Sequence, residues 1–397
     1  MSIRSMRPSR RYVWRSPLLM AGLLVAAAVA SLPAWAQAPE AASQAQKDTP
    51  PAEAVESGTD ATGQDTPQAA AAENEASGRA AEPAVEVPSI VQGSPEPIEP
   101  PPTRELHLVL DWYPSPQHAA LFVAQAHGEL ERQGVTLTIT TPADPSVPAK
   151  LVAADRADLA LGREPQLHML IAQGLPLVRI ATLIDTPLSS LIVREDSDIT
   201  KLTELAGKTV GYAFQDSINP VLATMLNHHG MTLNDVTLEK IDFAMVRALV
   251  EKRVDAVIGA PRNVMPALLA QEGITSRHFL AEEHGLPRHD GLVLIANRER
   301  LESKRDDIRH LLAALEEATN WMINHPEAAW SLLIEEEPGI DSEANRRAWA
   351  ATLRRMAPSP GMLNTDRYAT FDAFLQERAF IDEDIPVAQL AMNPNST

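Results

Sequence analysis

The chain has no cysteine among its 397 residues, and only 4% of them are aromatic. Without thiols it has no disulfide framework, no thiolate metal site and no cysteine to carry a lipid. Its fold must rest on a hydrophobic core, and the length suffices for a large one. Positive charge is also scarce: 34 Lys and Arg stand against 53 Asp and Glu, a net −19. That balance argues against nucleic acid and anionic lipid surfaces as partners but says nothing against a small ligand in a cleft. The dinucleotide pattern G-x-G-x-x-G, metal-ligand spacings and a nucleophile–base–orienter set are all missing. The 11 histidines are scattered. No catalytic residue, metal or cofactor is therefore expected, and the chain reads as a binder rather than an enzyme.

The N-terminus is unlike the rest. Arg4, Arg7, Arg10, Arg11 and Arg15 precede an apolar run of 13 residues, Leu18–Ala30, and then Ala34-Trp35-Ala36. A basic start, a short apolar run and an A-x-A site make a signal peptide cleaved after Ala36. The run is shorter than the roughly 20 residues of a bilayer span, so release into a periplasm is expected. Residues 37–104 hold 15 Ala, 11 Pro and no Phe, Trp or Tyr, with 12 acids against three bases. Such a stretch cannot bury enough apolar surface to offset its ordering entropy and reads as a disordered acidic linker. With +5 in the leader and −9 in the linker set apart, residues 105–397 carry −15 of the total.

Beyond residue 104, short apolar runs alternate with helical patterns, as in α/β folds with mostly parallel sheets. "LHLVLD", "TLTIT", "DLALG" and "PLVRIATLI" read as strands with helices between them; the pattern then resets through "GKTVGY", "VTLEKI" and "DAVIG". "RADLALG" (156–162) and "RVDAVIG" (253–259) share R-x-D-x-x-x-G. The repeat suggests two similar lobes across a cleft, although a chance recurrence of one α/β unit gives the same pattern. "SSLIVRED" and "HDGLVLIANRE" are the expected crossings. They divide the body into lobe one (105–191), lobe two (192–294) and a lobe-one return with C-terminal helices (295–397). "IRHLLAALEEATNWMI" runs at a period of 3.6, and Pro326 opens the next helix.

On these residues the chain resembles a known family. "LDWYPSPQHAALFVAQAHGELERQGVTLTITTPADPS", "LVAADRADLALGREPQLHMLIAQGLPLVRIATLIDTPLSSLIV", "GKTVGYAF" and "NHPEAAW" are similar to solute-binding proteins of ABC importers. The nearest branch is the one for thiamine pyrimidine precursors such as formylaminopyrimidine and hydroxymethylpyrimidine. The resemblance implies a two-lobe type II periplasmic-binding fold with C-terminal helices packed on lobe one. It also implies a monomer that closes on its ligand and hands it to a membrane permease. A sulfonate or other small anion as ligand, and a ligand-sensing subunit, are the alternatives. The yeast-type pyrimidine synthases share the fold, but they carry a cysteine-rich stretch. When the glycines of the Gly-hydrophobic-Pro turns are aligned (Gly174 here), their reactive histidine falls on Gln166.

Ligands of open α/β sheets sit beyond the carboxyl ends of the strands. Trp112, Tyr113, His118, Arg163 and Glu164 fall there in lobe one, and Phe214 to Ser217, Arg262 and Asn263 in lobe two. The resemblance makes Trp112 a stacking platform for a flat ring, His118 a polar contact and Glu164 an acceptor for a ring amino group. Phe214 is a candidate cover from the opposite lobe, and Ser217 a candidate for leaving backbone N–H groups free for an anion or carbonyl. Each residue also has a plain structural role open to it: core packing for Trp112 and Phe214, a solvated helix start for Glu164, a helix cap for Ser217, and a solvent-facing charge for Arg262. Where pyrimidine binders typically read Gly-Ala-Tyr-Trp-Asn-x-Glu, this chain reads Gly259-Ala260-Pro261-Arg262-Asn263-Val264-Met265. An arginine in place of an aromatic suits an anion.

Overall fold

A computed structural model of the chain describes residues 104–395. The expected signal peptide lies outside the described residues, as does the linker except for Arg104, which opens the first strand rather than ending the linker. Among the described residues there are ten strands: β1 (Arg104–Val109), β2 (Val135–Thr140), β3 (Leu159–Gly162), β4 (Leu177–Ile184), β5 (Ser189–Arg194), β6 (Thr209–Tyr212), β7 (Thr237–Lys240), β8 (Ala256–Pro261), β9 (Ser276–Leu280) and β10 (Leu292–Asn297). The helices are α1 (Ala119–Ala126), α2 (Glu129–Arg132), α3 (Pro148–Ala153), α4 (Glu164–Ala172), α5 (Ala223–His228), α6 (Met245–Val250), α7 (Met265–Gln271), α8 (Leu301–Asn324), α9 (Pro326–Glu336), α10 (Glu343–Leu353), α11 (Thr365–Glu377) and α12 (Val387–Leu390).

The strands form two five-stranded sheets, ordered β2-β1-β3-β10-β4 and β7-β6-β8-β5-β9. In each, four strands run one way. The fifth, β10 or β5, runs antiparallel to both its neighbours, because it enters from the other sheet's side. Helices cover both faces of the first sheet, so β3, β4 and β10 read as near-continuous apolar runs, while the edge strand β2 alternates. All eight residues of β4 are buried. Leu106, Leu108 and Leu110 pack with α1 and α8 on one face, while Val109 joins Leu167, Leu170 and Tyr368 on the other.

The crossings differ from expectation. β5 belongs wholly to the second sheet and β10 wholly to the first. The chain therefore changes lobe at 185–188 and 284–291, not inside the strands at 191/192 and 294/295. An unbroken apolar strand carries no mark of which sheet it joins. The two crossings touch: a Cβ on Gly291 would lie 2.1 Å from the Thr186 carbonyl oxygen.

The helices α8 and α9 pack on lobe one through Leu311, Leu315, Ala329 and Trp330, with Pro326 at the first turn of α9. The last long helices reach further. Thr352 of α10 accepts a 2.8 Å hydrogen bond from Asn263 of lobe two. Tyr368 of α11 packs in lobe one, whereas Phe371 and Leu375 join the core around Leu191 and Leu222. α11 also braces the crossings. Arg367 donates to the Asp185 carbonyl at 3.0 Å and pairs with Asp290, and the Asp290 carboxylate further accepts from Thr182 (2.5 Å) and Tyr368 (3.2 Å).

Candidate functional site

The carboxyl ends of β1, β3, β6 and β8 meet around a cavity of about 230 Å³ between the sheets. Lobe one supplies Asp111, Trp112, Tyr113, Gln117 and Arg163, and lobe two supplies Phe214, Met245, Gly259 and Pro261. Ser115 and Pro116 force a tight turn after Tyr113 and start the helical segment that leads into α1. The turn leaves the Asp-Trp-Tyr triplet at the lip of the sheet.

The aromatic wall spans both lobes. The Trp112 ring centroid lies 5.4 Å from that of Phe214 and 4.5 Å from that of Phe243, and Tyr113 stands 4.6 Å from Phe243. Trp112 thus leaves lobe one and packs against the lobe-two core. Tyr113 is 52% exposed and forms the rim.

A charged group sits beside this wall. Arg163 grips Asp216 of lobe two with two parallel hydrogen bonds, Nε to Oδ2 and Nη2 to Oδ1, each 2.9 Å. Its guanidinium lies 3.5 Å over the Phe214 ring, a cation–π contact worth roughly 2 kcal/mol when desolvated. The remaining nitrogen, Nη1, is buried without a hydrogen-bond partner and stands 3.8 Å from Asp111 Oδ2. Burial opposes the charge on Arg163, but Asp216 and then Asp111 outweigh it and raise its pKa. Burial likewise opposes the charge of Asp111. The His118 hydrogen bond and the nearby Arg163 charge win, holding the carboxyl below its ordinary range. Two carboxylates around one guanidinium leave the cluster at −1.

The eight expected site residues divide. Trp112, Tyr113 and Phe214 line the cavity; Phe214 is also core, 5% exposed. His118 does not reach it. Its ring is fully buried; Nδ1 accepts the Ser115 backbone N–H at 3.1 Å, which leaves Nε2 to donate to Asp111 Oδ1 at 2.9 Å. It orients the acid rather than a ligand. Glu164 is fully buried and turned toward the crossings, where Oε2 accepts the Asp290 backbone N–H at 2.6 Å. Its other oxygen lies 3.6 Å from His168 Nε2, while His168 Nδ1 bonds Asp372 at 2.9 Å. Ser217 caps no helix. It begins an irregular turn (Ser217–Leu222), and its buried hydroxyl is unpartnered beneath Gly259. Arg262 is paired with Glu282, and Asn263 with Thr352, neither lining the cavity. The acid of the site is Asp111, one residue before Trp112. Its signal was a carboxylate at the end of a buried strand.

Comparison with known proteins supports this architecture. Residues 115–329, over half of the chain, match the family described as NMT1/THI5-like. A Haemophilus influenzae protein named for thiamine biosynthesis is 37% identical over 293 residues, 73% of this chain and 92% of that one. The formylaminopyrimidine-binding protein of Halalkalibacterium halodurans is 30% identical, over 58% of this chain and 69% of its own. The 4-amino-5-hydroxymethyl-2-methylpyrimidine phosphate synthase of Saccharomyces cerevisiae is 25% identical, over 62% and 75%. Among solved structures, the alkanesulfonate-binding protein of Xanthomonas axonopodis pv. citri superposes with a TM-score of 0.58, covering 73% of this chain and 98% of that one at 16% identity. At that identity the likeness concerns the fold alone.

Proposed function

The chain belongs to the NMT1/THI5-like family, and from that premise we propose that it is an extracytoplasmic solute-binding protein that captures a small heteroaromatic thiamine pyrimidine precursor and delivers it to an ABC transporter permease. The observation that carries this reading is the interlobe cavity, walled by Trp112, Tyr113 and Phe214 and holding an ionised Asp111. A cavity of about 150 Å³ accepts a benzene ring. At about 230 Å³ this one suits a single substituted ring. Aromatic faces match a flat heterocycle, and a carboxylate matches its amino group.

Binding is favoured over synthesis. The residues lining the cavity include no histidine, and the resemblance puts the synthases' reactive histidine on Gln166. A sulfonate or other small anion fits less well. Arg262 is committed to Glu282, and Arg163 already faces two carboxylates. Among the described residues no helix is long and apolar enough to cross a membrane.

The test is thermal denaturation of the purified protein with formylaminopyrimidine, hydroxymethylpyrimidine, thiamine and alkanesulfonates. A ligand at 100 times its Kd adds about 2.7 kcal/mol, a clear rise in Tm. A pyrimidine should give that rise, and Trp112→Ala should abolish it. A rise with alkanesulfonates alone would overturn the reading.

A further inference from the structure

Asp111 and Arg163 present an acceptor beside a donor. Asp111 Oδ1 is taken by His118, while Oδ2 faces Arg163 Nη1 at 3.8 Å, beyond hydrogen-bond reach. Nη1 belongs to a side chain more than nine-tenths buried, and it has no partner. An unpaired buried donor is costly, more so when charged, so an arrangement that keeps one calls for a group to satisfy it. Both residues line the same cavity, with the aromatic faces of Trp112 and Phe214 alongside.

Resting on the pyrimidine reading above, we propose that Asp111 and Arg163 form the recognition edge of the site, reading a ligand that carries an N–H donor next to a ring-nitrogen or carbonyl acceptor, and that Asp216 latches lobe two onto this edge and excludes anions. An amidine-type edge, N–H beside ring nitrogen as in a 4-aminopyrimidine, is the complement: its N–H goes to Asp111 Oδ2 and its ring nitrogen accepts from Arg163 Nη1. The fork geometry explains why the residue is arginine. Nε and Nη2 are spent on Asp216 in the second lobe, and only a planar five-donor group keeps a further nitrogen for a ligand. A lysine could not hold the latch and read the edge together. The negative balance of the three groups sets the charge preference, since a phosphate or sulfonate entering here would meet two carboxylates and a cation already neutralised.

His118 is a positioning residue in this scheme. Its fixed tautomer occupies Oδ1 and leaves Oδ2 beside Arg163 Nη1.

The experiment is calorimetric titration of the purified chain and of Asp111→Asn and Asp216→Asn with three probes: 4-amino-5-hydroxymethyl-2-methylpyrimidine, its phosphate, and 2-methylpyrimidine, which lacks the amino group. The wild-type protein should prefer the aminopyrimidine over 2-methylpyrimidine by tenfold or more. Asp111→Asn should erase most of that preference. Asp216→Asn should shift the phosphate-to-alcohol affinity ratio toward the phosphate by about tenfold, because it frees Arg163. Aminopyrimidine binding by the wild type, with both ratios unchanged in the two variants, overturns the recognition edge and leaves the pyrimidine reading standing. No binding of any pyrimidine by a wild-type protein that does bind an alkanesulfonate overturns both. If Asp111→Asn unfolds, the Asp216→Asn ratio and the 2-methylpyrimidine comparison on wild type decide alone.

Discussion

Arg163 and Arg262 occupy corresponding places in the two lobes, shortly after the glycines that close the repeated R-x-D-x-x-x-G segments, but they have opposite surroundings. Arg163 directly follows Gly162 at the end of β3 and reaches across the cleft to Asp216. Arg262 comes three residues after Gly259, and its backbone N–H bonds the Leu188 carbonyl while its side chain pairs with Glu282. The cause is a bulge. Ser190 pairs with Ala260 and Leu191 with Ile258, so Gly259 is an extra residue in β8, held at φ +84°. Without a side chain it lets Ser217 lie against β8: a Cβ there would be 2.3 Å from Ser217 Oγ. The same sequence unit thus ends plainly in one lobe and re-aims the following residues in the other.

Substitutions can break this contrast. The largest expected effect is Arg163→Ala, which leaves Asp216 and Asp111 buried without their cation and costs about 3–5 kcal/mol, read as the loss in urea-unfolding free energy. Gly259→Ala comes next at about 2 kcal/mol, from the left-handed backbone and the Ser217 clash together. Adding Ser217→Gly should return part of it. Gly162→Ala meets only the ends of Ile295 and Gln166, and a cost equal to that of Gly259→Ala would refute the bulge as the source of the difference. Arg262→Ala should cost about 1 kcal/mol or less, since its pair with Glu282 is partly exposed, and should leave pyrimidine affinity within twofold by titration.

A shallow pH dependence is the smallest effect. Burial opposes the charge of His168, yet Asp372 and Glu164 outweigh it and raise its pKa above 6.5. The stability it adds is complete below 6.5 and fades as pH rises through the raised value. Burial lowers the pKa of His289, so that group costs stability as pH falls below 6.5 through its lowered value. Melting temperatures across pH should therefore peak near 6.5, and His168→Gln should flatten the alkaline side.

The two-lobe α/β plan was legible because parallel strands buried on both faces write themselves as apolar runs. The aromatic side of the site was legible too, because Trp112 stands at a strand end in a chain poor in aromatics. Polar roles were harder. Glu164 and His118 lie beyond strand ends as expected, but which way a side chain turns there depends on partners distant in sequence: Asp290 for Glu164, and the fold of the 115–118 turn for His118. Asp216 acquires its role from a residue 53 positions earlier. The strand β9 has no apolar pattern to announce it, carrying Arg277 and His278 on the edge of its sheet.

The strand order also fixes an order of assembly. The second sheet draws on β5 to β9, consecutive in the chain, and has all its strands once residue 280 exists. In the first sheet β10 is the one described strand that pairs with β4, and it arrives after the whole of the second lobe, as do the bridges from β4 to Met356 and Ala391. The half that begins earlier is therefore completed later. Until then β4 is an apolar strand with both edges open, the kind of segment that invites mispairing. Released chains truncated near residue 290 should hold all five strands of the second sheet, though without the Phe371 and Leu375 that join its core, beside a first sheet still missing β10.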